Sequence, residues 1–436
     1  MRLASLRQLI NDTDLVRRSG KVSQIYGLTV ESNGPDAFLG ELCEIRSQSN
    51  RKVRAEVVAL KNGRVFLMPY RDLMGIYLGS DVTATGKPVS VPVGEGLLGR
   101  VINAFGQPLD GRALDNVNTQ YPLYTRPINP LKRKRIGQIL ETGVKTIDSL
   151  VTLGKGQRMG IFAGSGVGKS TLLGMIARSI HADVNVIALV GERGREVKEF
   201  IDKSLGEEGL RKSVVVVATS DETALTRTHA ALSATAIAEY FRDQGKDVML
   251  MMDSVTRYAM ALREIGLAVG EPPTSRGYTP SVFSALPRLI ERCGTNESGG
   301  SITALYTVLM EGDDVNDPVA DNLRALLDGH LILSRDIANQ GKYPAIDLLQ
   351  STSRLMNDLV GEADLKLVEE FKRLLSLYEN SSDMINLGAY KKGANPDLDR
   401  IINAMPEVDA FIKQSINENI SRADAIAYLK RVVNDR

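Results

Sequence analysis

Ala163-Gly164-Ser165-Gly166-Val167-Gly168-Lys169-Ser170-Thr171 is the stretch that decides how this chain folds. It follows an apolar run of strand length, Arg158–Phe162, and opens a helix-like run from Leu172 to Ile180. A strand, a glycine-rich loop, Lys-Ser and a helix are together the parts of a phosphate-binding loop. The glycines let several backbone N–H groups turn onto phosphate oxygens, and the helix N-terminus adds a favourable dipole. In that geometry Lys169 reaches the β- and γ-phosphates of a nucleoside triphosphate, and the Ser170 hydroxyl ligates Mg²⁺. The first position of the glycine pattern is Ala163, a departure that matters little if the residue needs no positive φ.

Working outward, residues 136–350 alternate apolar runs with helical patterns. Besides Arg158–Phe162 the runs are Val184–Val190, Val214–Ala218, Val248–Met252 and Ile302–Leu309. Strands apolar on both faces belong to a mostly parallel sheet covered by helices, whose ligands bind at the carboxyl ends of the strands. Asp253 stands at that end of the run Val248–Met252, 84 residues beyond Lys169, which leaves room for the intervening elements of a RecA-like order. It is the candidate carboxylate for the metal. Hydrolysis also requires a base that orients the attacking water. Glu192 follows the strand Val184–Val190 and emerges at the same sheet edge; Glu196 is the second choice, better suited to a surface or interface charge.

The flanks have a different texture. Leu3, Leu6, Leu9 and Ile10 lie at helical spacing, giving a short amphipathic arm over residues 1–19, either packed on its own domain or serving assembly or a partner. Residues 20–93 form short β runs, among them Lys21–Tyr26, Leu39–Arg46, Lys52–Leu60 and Arg64–Met68, with turns at Asn33-Gly34-Pro35 and Asn62-Gly63. This pattern predicts a small barrel or sandwich with a hairpin at Asn62-Gly63. Most of its aromatic residues (Tyr26, Phe38, Phe66, Tyr70, Tyr77) read as core. The core unit is taken as 94–354; its Gly- and Pro-rich start ends in Lys132-Arg133-Lys134-Arg135, a solvated connection or a phosphate contact. In the helical unit 355–436, Leu365, Val368, Phe371, Leu374, Leu375 and Tyr378 make one stripe, and Ser421 caps a last helix with Ile426 and Leu429 inward.

Composition excludes several classes. Lys plus Arg is 54 and Asp plus Glu is 53, so no bulk positive charge draws the chain to nucleic acid. Two cysteines, Cys43 and Cys293, are too few for a disulfide framework. The three histidines show no zinc-site spacing. A start with acidic residues ahead of any long apolar run, and apolar runs well short of the ~20 residues that span a bilayer, lead to the expectation of a cytoplasmic protein without a signal peptide.

Longer motifs carry a resemblance. AGSGVGKST, VGERGREVKEF, DSVTRYAMALREIGLAVGEPPTSRGYTPSVFSALPRL and YPAIDLLQSTSRLM resemble the rotary-ATPase superfamily of F1 catalytic subunits. SITALYTVLMEGDDVNDPVAD is similar to its type III protein-export branch, and GRVINAFGQPLDG with INLGAYKKGANPDLD fits the flagellar export ATPases best. The resemblance runs from Gly20 to Leu398 and implies an N-terminal β-barrel, a RecA-like P-loop core with a mostly parallel sheet and a C-terminal helical domain. It implies a homohexameric ring that hydrolyses ATP to ADP with Mg²⁺ at subunit interfaces and energises export of flagellar proteins. The implied partners are a stator-like regulatory subunit, a central-stalk protein, export-gate membrane proteins and chaperone–substrate complexes, with peripheral association at the inner-membrane export apparatus and no specific nucleic acid.

Residue by residue, the resemblance puts Lys169 and Ser170 at the phosphate and Mg²⁺ positions and Glu192 at the catalytic glutamate. Arg193 and Arg257 match arginines near the γ-phosphate, and Tyr343 an aromatic packed against adenine. Arg354 matches the arginine finger lent to the neighbouring subunit; without the resemblance it is an arginine after a Ser-Thr-Ser run. The rival readings are a virulence-injectisome export ATPase, a ring-shaped RNA translocase, the proton-driven F1 catalytic subunit and a non-hydrolysing ring subunit. The retained Glu192 opposes the last of these, and the lack of a basic, aromatic oligonucleotide face opposes the translocase.

Overall fold

The computed structural model of the chain describes residues 18–297, 299–310 and 317–434. The expected amphipathic arm built on Leu3, Leu6, Leu9 and Ile10 lies outside them. Six strands open the described chain: β1 (Ser19–Tyr26), β2 (Thr29–Asn33), β3 (Glu41–Arg46), β4 (Lys52–Lys61), β5 (Arg64–Pro69) and β6 (Asp81–Pro88). They close in the order β1-β2-β5-β4-β3-β6, so the alternative of a sandwich falls and no strand of the set is left as an edge. Asn62 and Gly63, both at positive φ (52° and 71°), turn β4 into β5 as the Asn-Gly signal requires.

The barrel interior is aliphatic, built on Val22, Val30, Ile45, Val57, Leu67 and Val82 with Cys43. This corrects the expectation that its aromatic residues are core: Tyr26, Phe38 and Tyr77 are exposed and Phe66 half-buried, and only Tyr70 is buried. A barrel narrows as its strand number falls, and six strands enclose too little width for rings.

The chain then forms β7 (Ser90–Val93), which pairs with β9 (Thr119–Pro122), and β8 (Arg100–Asn103), which joins the main sheet. Two short strands, β10 (Ile139–Leu140) and β11 (Leu153–Gly154), precede the sheet proper. That sheet is built on β12 (Arg158–Ala163), β13 (Val184–Glu192), β14 (Ser213–Thr219), β15 (Asp247–Asp253), β17 (Ser301–Leu309), β18 (Gly329–Leu333) and β19 (Ile346–Ser353), with β16 (Gly294–Thr295) on its flank. The order among the described residues is β19-β18-β12-β17-β15-β13-β14-β8, parallel except for β19. Each apolar run of the sequence lies inside one of these strands. Alternate residues feed opposite faces: Val186, Ala188 and Val190 enter one core, and Ile187 and Leu189 the other. Helices 224–243, 255–268 and 280–290 cover the first face and helix 169–179 the second.

The second core continues into the C-terminal helices Glu362–Asn386, Pro396–Ile412 and Arg422–Asn434 through Val368, Phe371, Leu374, Phe411 and Leu429. Most of the expected stripe is buried, while Leu365 and Tyr378 pack at its margin. Ser421 caps the last helix, its hydroxyl accepting from the Asp424 N–H at 3.2 Å. The basic quartet keeps the expected solvated character at Lys132, Lys134 and Arg135, which are exposed, while half-buried Arg133 ties it to the core. Arg133 donates to the carbonyls of Cys293 (2.6 Å) and Glu291, Arg135 meets Asp358 at 2.9 Å, and Lys132 lies 3.7 Å from Glu297.

Candidate active site

The site forms where the central strands end. Ala163 is the last residue of β12, fully buried and paired to Leu309 and Leu333, and it is extended. An alanine therefore serves there without strain. The turn falls on Gly166 (φ 80°) and Gly168 (φ 92°), left-handed conformations that glycine adopts freely. Val167 is buried beneath the loop, Ser165 and Gly166 face outward, and helix Lys169–Ser179 starts at once. Thr171 is half-buried in its first turn, and the Ser170 side chain is exposed at the same end.

Lys169 is drawn inward onto two carboxylates. Its Nζ contacts Asp253 Oδ1 and lies 3.7 Å from Glu192 Oε1. Asp253, 3% exposed at the end of β15, also accepts from Thr307 Oγ1 at 2.8 Å. Ser254 follows and caps helix Val255–Ala268, accepting from the Arg257 N–H at 3.3 Å. Glu192 ends β13 after a bulge at Gly191, whose φ is 70°. A Cβ on Gly191 would meet the Arg257 side chain at 3.1 Å, so the absence of a side chain there lets Arg257 pack beside Glu192. Arg257 Nε is buried without a hydrogen-bond partner among the described residues.

Burial pushes the Glu192 carboxyl up to about 7. Asp253's negative charge adds to the rise, Lys169 opposes it, the hydrogen bond with Glu196 raises it further and Arg257 pulls against it. The acid expected as second choice is thus a neighbour that tunes the first.

The remaining expected residues divide. Tyr343 joins the loop: its ring would stand 3.4 Å from a Cβ on Gly168, so it lies over the loop's last glycine. Its carbonyl accepts from the Gln414 N–H at 2.9 Å, which ties it to the C-terminal domain. Arg193 is not brought in. Its side chain is 79% exposed and pairs with Glu196 at 3.6 Å. Arg354 lies at the other end of the sheet, because β19 runs antiparallel to β18 with Ser353 opposite Gly329. Thr307 was missed by sequence reasoning; its run also carries Thr303 and Tyr306, so nothing local in Ile302–Leu309 singled it out.

Fold and site together define a P-loop ATPase, and the chain belongs to the ATP synthase alpha/beta family. Its nucleotide-binding domain model matches residues 143–353 and its beta-barrel domain model residues 22–86, while the T3SS EscN ATPase C-terminal domain model matches 360–431. Within that family the chain falls among the flagellum-specific and type III secretion ATPases. It is 54% identical over 431 residues to the flagellum-specific ATP synthase of Bacillus subtilis, covering 98% of each chain. It is 47% identical to the type 3 secretion system ATPase of Xanthomonas euvesicatoria, covering 96% of this chain and 95% of the relative. The assembled ATPase EscN from the enteropathogenic E. coli type III secretion system superposes with a TM-score of 0.90 at 46% identity, over 95% of this chain and 100% of that one. EscN in complex with its central stalk EscO gives 0.88 at 44%, with the same coverage.

Proposed function

We propose that this ATPase works as a homohexameric ring in which the loop of one subunit meets Arg354 of the next, and that its turnover energises type III export of flagellar proteins. One observation carries the ring: Lys169, Asp253 and Glu192 gather at one end of the parallel sheet, while Arg354 stands at the other. The five residues of β18 span ~17 Å at ~3.3 Å each, so an arginine beyond β18's first residue is out of reach of its own loop. That distance supports a neighbour's loop as its place.

The loop N–H groups and Lys169 hold the phosphates, and Ser170 and Asp253 hold the metal with its water shell. An exposed hydroxyl at the helix end beside a buried carboxylate suits Mg²⁺, which keeps several waters and needs no all-protein cage. When bound, Mg²⁺ neutralises charge on the β- and γ-oxygens. Glu192 orients and deprotonates the attacking water, and Lys169 leaves the carboxylates for the phosphates. Arg257 Nε, without a hydrogen-bond partner among the described residues, is suited to the γ-phosphate, and Arg193 turns inward from Glu196 on assembly. Tyr343 covers adenine.

The stator-like subunit, central stalk, export gate and chaperone–substrate complexes are the proposed partners, met in the cytoplasm at the face of the inner-membrane export apparatus. Among the described residues no helix is long and apolar enough to cross a membrane. The 54% against 47% identity favours a flagellar over an injectisome role. Deleting the gene should cost motility; loss of effector secretion with motility intact would reverse that choice. Specific activity should climb with protein concentration and follow the hexamer, and full activity in a nanomolar monomer would end the ring reading.

A further inference from the structure

Arg354 is held by its own chain through a network at the start of β12. Its backbone N–H donates to the Asp328 carbonyl at 2.9 Å, and its guanidinium donates to the Arg324 carbonyl at 3.0 Å. Arg158 grasps the Asp328 carboxylate at two points, Nε to Oδ2 at 3.0 Å and Nη2 to Oδ1 at 3.1 Å. The Arg158 backbone N–H adds a third bond to Oδ2 at 3.0 Å, and the Asp328 N–H returns one to the Arg158 carbonyl at 2.9 Å. Buried Gln157 links both sides of the loop: its Nε2 reaches the Asp328 carbonyl at 3.2 Å and Ser353 Oγ at 3.0 Å. Arg324, which accepts the guanidinium's bond, lies over the Phe162 ring at 5.0 Å.

We propose that Gln157, Arg158 and Asp328 are positioning residues for Arg354, clamping the base of its loop so that the guanidinium meets the neighbouring subunit's nucleotide at a fixed angle. The proposal rests on the reading of Arg354 as an arginine acting across the interface. An exposed arginine has many rotamers, and a misplacement of about 1 Å at a reacting centre can cost ~10² in rate. Anchoring Ser353 and the Arg354 N–H restricts the backbone at this point and leaves chiefly the side-chain torsions. A two-point Arg–carboxylate contact is suited to this, because it fixes orientation as well as distance. Glu291 Oε1, 2.6 Å from Arg158 Nη1, keeps that arginine in place from its other side.

Asp328→Asn tests the clamp in the full-length chain, since it keeps the side chain's size and removes the charge. The variant should still fold and form rings, with a melting temperature lowered by a few degrees and an ATP KM within about twofold of wild type, while kcat falls about tenfold or more. Subunit mixing separates positioning from general damage. An Asp328→Asn subunit has an intact loop and can receive Arg354 from a Lys169→Ala neighbour, so that mixture should regain activity. Mixed with Arg354→Ala it should not, because both variants fail on the donor side. Rings with wild-type kcat, or equal rescue by both partners, would overturn the clamp. If Asp328→Asn does not fold, Arg158→Lys, which keeps the charge but loses the two-point contact, meets the same test with the same deciding outcomes. Arg354→Ala run alone distinguishes the two layers: full activity there removes the trans arginine itself, whereas a dead Arg354→Ala beside a fully active Asp328→Asn removes only the clamp.

Discussion

The two ends of β12 follow opposite electrostatic plans. At its carboxyl end one ammonium, Lys169, is shared between Asp253 and Glu192; Glu192 is pushed up to about 7, and Arg257 holds a buried Nε without a hydrogen-bond partner among the described residues. At its amino end Arg158 is matched by Asp328 and Glu291, and Arg354 is tied down by its backbone with its side chain exposed. The first end is unbalanced and ready for phosphate charge. The second is neutralised and ready to present one group in a fixed place. On the proposed reading, a subunit built this way carries a socket and a plug on opposite edges of one sheet, and the ring is the unit of catalysis.

The sharpest way to break the comparison is at the socket. Glu192→Gln keeps the shape and removes the proposed base, so ATP binding should persist while kcat falls by ~10²–10⁴; retention of more than about a tenth of the rate would assign the water to another group. Lys169→Ala, by contrast, should weaken both binding and turnover.

A pH profile tests the same imbalance more gently. If Glu192 acts as a carboxylate base, as proposed, kcat/KM, which reports the free enzyme, should rise as pH passes through about 7. Stability runs the other way. The folded value lies above the usual ~4.3, so the contribution of Glu192 to stability is present below that value and is lost as pH climbs through about 7. The gap between the melting temperatures of Glu192→Gln and wild type should therefore widen in the variant's favour from about pH 4 to about pH 7 and hold steady above that. A gap that is constant with pH would mean that Glu192 is not strained by its burial.

The smallest effect is expected at Thr307→Val, which removes the hydroxyl bonded to Asp253 at 2.8 Å. A hydrogen bond to a charged group is worth about 1.5–3 kcal/mol, so denaturant unfolding should register a loss of that size, with kcat reduced by about tenfold or less. No change in either quantity would show that Lys169 alone suffices to hold Asp253.

How far the sequence disclosed this arrangement follows from how local each signal is. The phosphate loop and the strands around it were legible, because strands buried on both faces are largely apolar and the loop's glycines, Gly164, Gly166 and Gly168, fall close together. Glu192 and Asp253 followed as residues at strand ends. β2 and β6 were not named, since Thr29–Asn33 and Asp81–Pro88 are short and rich in polar residues and close the barrel through long-range pairing. Tyr343 and Arg354 carried no local signal and came only through resemblance. Their placement depends on the antiparallel turn of β19, which sends Ser353 to the far end of β18. Arg158, Asp328 and Gln157 lie up to about 200 residues from the loop they hold, and no periodicity joins them.

Mixing two inactive variants tests the socket-and-plug account most directly. Arg354→Ala should bind ATP almost normally and hydrolyse it poorly at every concentration, since such a group acts on transition-state charge and is worth ~10³–10⁵ in rate. Lys169→Ala spoils its own socket but keeps its plug. Rings assembled from both should regain part of the wild-type activity, at interfaces where an intact Lys169 loop meets an intact Arg354. Mixed rings that form and stay as inactive as either parent would contradict the account.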